Sequence, residues 1–103
     1  MENHQQKQII DKLPPSAIDL EEIVLGALIV EPKAIEKTNL IPSDFYKHEH
    51  ELIFKAIKQL NEKRKQIDMF TVCERLKKNK DLENAGGSYY ITLLTTKISS
   101  ALS

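Results

Sequence analysis

The sequence predicts an all-α fold, a small orthogonal bundle of about five to six helices. Three observations carry that expectation. Apolar residues recur at intervals of three and four in several separate stretches, the spacing that gathers them on one face of a helix. Nowhere does apolar–polar alternation run long enough to build a strand. Ser, Asp, Pro and Gly stand where such helices would begin and end.

A chain of 103 residues, 41% hydrophobic, suits one domain with its own core. Fifteen basic residues balance fifteen acidic ones, so the formal net charge is zero. A protein that holds nucleic acid unaided usually carries a basic excess, so no direct nucleic-acid binding is expected. The longest nearly apolar run, 23–30, is far shorter than the ~20 residues that span a bilayer, and no secretory signal opens the chain. No membrane contact and a cytoplasmic location are therefore expected. The single cysteine, Cys73, can form no internal disulfide, which agrees with a reducing compartment.

Residues 1–13 read as a flexible polar tail that includes His4, and 14–103 as the helical domain. Pro14 and Pro15 keep the chain extended, and Ser16 caps the next helix with Asp19 three residues on, a relative of the Ser-x-x-Glu capping box. The first helix runs from Ala17 to Val30. Its expected core stripe is Leu20, Ile23, Val24, Ala27 and Leu28, with Leu25 and Ile29 widening it until the second half is apolar nearly all round. Gly26 inside that half costs about 1 kcal/mol relative to alanine, so a neighbouring helix is expected to cross closely there.

Pro32 fits the first position of a short second helix, and "NLIPSDF" reads as a turn with a brief helical segment near 43–46. From Lys47 to Glu62 the residues Ile53, Ala56, Ile57 and Leu60 form a stripe flanked by Leu52 and Phe54, an arc wide enough to mark the centre of the fold. Asp68 caps a helix with Met69, Val72, Cys73 and Leu76 at core spacing. Gly86 and Gly87 permit a sharp re-entry into a helix over 88–97, whose stripe is Ile91, Leu94 and Ile98, with Tyr90 on its flank and Tyr89 outside. "SSALS" reads as a cap and the first residues of a further helix, so the chain is expected to be cut from a longer one.

The chemical candidates are few. His48 and His50 stand two residues apart, about 200° around a helix, and cannot share a metal as an H-E-x-x-H pair does. His50 falls inside the apolar arc and is expected to be a packed residue with a ring nitrogen bonded to a nearby carbonyl. His48 falls outside, on a solvated first turn. Cys73 is expected to be an inert core thiol. Lys63, Arg64 and Lys65, and later Lys77, Lys78 and Lys80, read as solvated runs. No Gly-x-x-x-x-Gly-Lys loop, Gly-x-Gly-x-x-Gly turn or supported Ser/His/Asp arrangement is present, so no catalytic, metal or cofactor site is expected. The residues alone point to a helical interaction domain, and the competing reading is a small helical DNA-binding module with steeply salt-dependent affinity.

Taken in order, "PPSAIDLEEIVLGALIVEP", "LIPSDFYKHEHELIFKAIKQL", "QIDMFTVCERL" and "LENAGGSYYITLL" resemble the N-terminal domain of bacterial replicative DNA helicases of the DnaB family. The resemblance covers about 13–103. It makes Gly26, Phe45, His50, Phe54, Asp68, Gly86 and Gly87 structural positions, and it implies a helical head followed elsewhere by a hairpin, a linker and a RecA-like motor that holds ATP and Mg and drives 5'–3' unwinding. It further implies a hexamer with a collar of N-terminal domains, docking to the C-terminal domain of primase, and contact with a helicase loader. Asp19 and Tyr90 match positions implicated in primase docking. Without the hairpin, the chain is expected to be monomeric or weakly dimeric, with no activity of its own.

Overall fold

Two of the helices begin on side chains that give their first amides a partner. The computed structural model describes residues 16–101, and the expected tail 1–13, with His4, lies outside them. Four α-helices and two 3-10 segments follow in order among the described residues. They are α1 (Ala17–Val30), the 3-10 segments Pro32–Lys37 and Pro42–Asp44, α2 (His48–Glu62), α3 (Met69–Lys78) and α4 (Gly87–Ala101). Ser16 and Asp19 exchange bonds across the first turn of α1, Ser16 Oγ accepting from the Asp19 amide at 3.2 Å and Asp19 Oδ2 from the Ser16 amide at 3.1 Å. Asp68 and Thr71 do the same for α3 at 2.8 and 2.9 Å. Such reciprocal caps satisfy amides that the helix itself leaves open.

The core is built from both ends of the chain. α1 lies along α4, α2 packs on α1 and α3, and α3 closes against α4. Leu25, Ile53, Ala56, Ile57, Val72, Leu76, Ile91 and Leu94 are fully buried, and Phe54 nearly so. Gly26 is buried where α1 meets α4, and a Cβ built there would overlap the carbonyl oxygen of Leu94 and touch Ile98 Cβ at 3.4 Å. Gly86 and Gly87 carry φ of 102° and 80°, and a Cβ on Gly86 would sit 2.9 Å from the Tyr90 ring. α2 and α3 end on left-handed Arg64 (φ 54°) and Lys80 (φ 61°), with Lys65 N–H bonded to Leu60 O and Asp81 N–H to Leu76 O, the Schellman pattern.

Four readings of the sequence are corrected. The buried face of α1 is Glu22, Leu25, Gly26, Leu28 and Ile29, while Leu20, Ile23 and Val24 are exposed. A helix apolar on nearly every side gives no phase, and the glycine and the carboxylates decide its rotation instead. Ser99 and Ser100 start no new helix, because α4 continues through them to Ala101, and the last two residues of "SSALS" lie outside the described ones. Met69 is 42% exposed and Cys73 only half-buried, because α3 turns Val72 and Leu76 to the core. The brief segment before α2 is Pro42–Asp44, with Pro42 supplying its first position.

Candidate functional site

Two adjacent glutamates interrupt the apolar run of α1, and the fold turns both toward the two rings that mark α2 and α4. Glu21 and Glu22 leave α1 toward His50, in the first turn of α2, and Tyr90, in the first turn of α4. His50 is fully buried. Its Nδ1 lies 2.7 Å from Glu21 Oε1 and its Nε2 2.6 Å from the Tyr90 hydroxyl. The Tyr90 hydroxyl donates to Glu22 Oε2 at 2.9 Å, and Lys97 Nζ donates to Glu22 Oε1 at 2.7 Å. The phenol has one hydrogen, and Glu22 takes it. The Tyr90 oxygen thus has a lone pair left to face His50 Nε2, and the Glu21 carboxylate faces Nδ1, so both ring nitrogens have a partner.

Glu21 serves two helices. Besides His50 it accepts the amide of Tyr46 at 2.5 Å and of Lys47 at 3.3 Å. Lys47 is the N-cap of α2 and has no side-chain cap of its own, so a carboxylate from α1 caps α2 across the fold. Burial raises the Glu21 carboxyl, but the bonds from Tyr46, His50 and Lys47 outweigh it and hold the group below its ordinary 4.5. Burial likewise raises Glu22, and the bonds from Lys97 and Tyr90 bring it below the same value. Burial, and then the bond to Glu22, push the Tyr90 phenol well above its ordinary 10.0.

Aromatic packing frames the cluster. The Phe45 ring meets His50 edge-on at 6.5 Å and lies 5.0 Å from Phe54. The His50 and Tyr90 planes are within 5° of parallel with centroids 5.9 Å apart, a separation that suits their edge-to-edge hydrogen bond and exceeds face stacking. Lys47 Nζ covers the outer face of Tyr90 at 4.9 Å. Nothing in this arrangement activates a nucleophile or leaves a polar atom poised over open space. No buried side-chain nitrogen or oxygen among the described residues lacks a partner, and no three His, Cys, Asp or Glu side chains among them gather to hold a metal. The chemistry on offer is that of a structural junction with an exposed rim.

Of the residues singled out in the sequence, the structure brings His50, Phe45, Phe54 and Tyr90 into one cluster and sets Gly86 against Tyr90. Asp19 sits apart in its capping box, Asp68 caps α3 at a distance, and His48 is exposed on the outer side of α2. The expected carbonyl partner of His50 is instead a carboxylate and a phenol. Sequence reasoning missed Glu21, Glu22 and Lys97. The signal was present, since Glu22, Gly26 and Ile29 share helical spacing, but a carboxylate inside a core stripe is read as solvated unless its partner is known.

The chain matches the family described as DnaB-like helicase N terminal domain over residues 13–103. It is similar to the replicative DNA helicase DnaB of Rhodothermus marinus, 41% identical over 100 residues that cover 95% of this chain and 11% of that protein. It is also similar to the replicative DNA helicase DnaC of Bacillus subtilis, 36% identical over 93 residues, 88% of this chain and 20% of that protein. The fold resembles the crystal structure of the N-terminal domain of DnaB helicase from Mycobacterium tuberculosis, with a TM-score of 0.74 and 30% identity over 82% of this chain and 60% of that one. The chain thus spans a tenth to a fifth of these full-length relatives.

Proposed function

The chain belongs to the DnaB-like helicase N-terminal domain family, and from that premise we propose that it is a non-catalytic collar and partner-docking domain of a hexameric replicative DNA helicase. It acts in DNA replication by helping to assemble the ring and by recruiting the C-terminal domain of primase, with a helicase loader as a further partner. The ATP- and Mg-dependent unwinding belongs to a motor domain that this sequence does not contain, which agrees with its lack of a phosphate-binding loop. The cytoplasm is the compartment proposed, and no helix of the described residues is long and apolar enough to cross a membrane.

One observation carries the docking reading. On the outer face of α1, Leu20, Ile23 and Val24 are 53%, 38% and 37% exposed, and Leu20 and Val24 continue into a groove with Leu40, Asp44 and Phe45. Apolar side chains at helical spacing, beside a polar rim, are what the centre of a protein interface requires. Asp19 stands at the edge of this row, one turn before Ile23, while Tyr90 belongs to the junction behind it. Capture by the immobilised C-terminal domain of the cognate primase tests the reading. Leu20→Asp with Ile23→Asp should weaken capture at least tenfold, the scale of losing a central anchor, and leave the melting midpoint nearly unchanged. Capture that survives both substitutions would overturn the assignment of this face.

A further inference from the structure

The zero net charge conceals a segregation along the chain. Residues 16–57 carry eight acidic and four basic side chains, whereas residues 58–80 carry eight basic and three acidic ones. Packing then gathers the basic group, because the C-terminal end of α2 lies against α3. Lys65, Arg75 and Lys78 line one shallow concavity with Gln66 and Thr71. Across Glu74 on the solvent side of α3, Met69, Phe70 and Lys77 line a second, wider one. Glu74 stands in the wall of both, so the two adjoin on a single surface.

Lys65, Arg75, Lys77 and Lys78 enter no ion pair among the described residues, including with Glu74 between them. The negative end of the α3 dipole favours the cations of its last turn. It does not account for Lys65 on the neighbouring segment, nor for Phe70. That ring is 70% exposed on a helix whose Val72 and Leu76 are wholly buried. A lone surface hydrophobe is ordinary, but one beside Lys77, with Arg75 and Lys78 across Glu74, offers a flat stacking face next to a phosphate track.

We infer that this face of α3, with Lys65 beside it, binds single-stranded nucleic acid, its cations taking phosphates and the Phe70 ring taking the face of an unpaired base. An acidic peptide would engage the cations and leave the ring without a flat partner. A duplex presents phosphates but keeps its base faces stacked inside. The surface lies apart from the α1 row proposed to dock a protein, so the two proposals stand or fall separately. Three to four neutralised phosphates give a log-affinity that falls with log salt at a slope of about −2 to −3, so binding is expected to be weak at physiological salt and clear at low salt.

Anisotropy of a labelled oligothymidylate about 12 nucleotides long, within the span of known single-domain sites, tests this on the 103-residue chain. Binding at low salt should weaken about tenfold in Phe70→Ala, the scale of one lost stack. The combination Lys65→Gln, Arg75→Gln and Lys78→Gln should flatten the salt slope by about 2. Glu74→Gln should tighten binding, because it removes the acidic side chain that lines both concavities. Lys37→Gln with Lys55→Gln, two exposed lysines that line neither concavity, should change nothing. No binding at the lowest salt would overturn the proposal, as would equal losses from the Lys37 and Lys55 pair. Duplex of the same length binding as tightly would do so too, and an undiminished Phe70→Ala displaced equally by polyglutamate would assign the face to an acidic protein instead.

Discussion

The crossing of α1 and α4 is closed by opposite means at its two ends. Near the start of α1, Glu22 is held by Tyr90 and Lys97, and Tyr90 is held in turn by His50. One turn later Gly26 lets the backbones meet with no polar bond between them, its α-carbon set against the Leu94 carbonyl. Apolar burial is not directional, and α1 is apolar on so much of its surface that either face would have satisfied a core. Hydrogen bonds and a missing Cβ are directional. The glycine and the carboxylates together select which face of α1 turns inward, and the face they reject becomes the exposed row proposed to dock a partner.

The heaviest damage is expected at the apolar end. Gly26→Ala adds a methyl where only a carbonyl oxygen fits, and despite the better helix propensity of alanine it should cost about 3 kcal/mol, read as a lowered denaturation midpoint. A neutral result would mean that α4 can move away, and the contrast between the ends would collapse. His50→Ala comes next. It removes a fully buried ring and leaves Glu21 and Tyr90 each short of a partner, for a loss of roughly 1 to 3 kcal/mol.

Acid should separate the two ends without any change in size. Glu21 and Glu22 have lowered values in the folded chain, so the stability they lend is complete above the ordinary carboxylate range and is lost as pH falls through the folded values. Melting midpoints should therefore drop below about pH 4.5, and the drop should be shallower in Glu21→Gln with Glu22→Gln. An unaltered acid limb would show that other carboxylates govern it. The smallest effect is expected from His48→Ala, within about 0.5 kcal/mol, since that ring is exposed and touches none of the junction. Equal losses at His48 and His50 would put the assigned rotation of α2 in doubt.

How much of this was legible in the sequence differs from helix to helix for a physical reason. α2 announced its phase because Ile53, Phe54, Ala56, Ile57 and Leu60 oppose Lys55, Glu62 and other polar residues, and all five of those apolar side chains are buried. α1 offered no such opposition, and its expected stripe was rotated away from the true one. The junction was half visible. His50 and Tyr90 stood out as polar rings at the margins of apolar stripes, but their partners lie 29 and 68 residues away, a separation no local pattern encodes. The end of α4 was misread because Ser99 and Ser100 are common helix breakers. Ser99 instead donates its hydroxyl back to the Thr95 carbonyl, the local bond open to a serine inside a helix.

The cap that α1 lends to α2 has a consequence for the order of folding. A helix with a local cap can flicker into being alone, whereas α2 must wait for Glu21, 25 residues upstream of the Tyr46 amide it receives. Closing that loop costs entropy before the bond repays it. The first turn of α2 is thus expected to settle late, after α1 docks, while its lower turns can form against α3 without that contact. Amide exchange at Tyr46 and Lys47 should then report docking of α1, and at the last turns of α2 the slower, global opening of the chain.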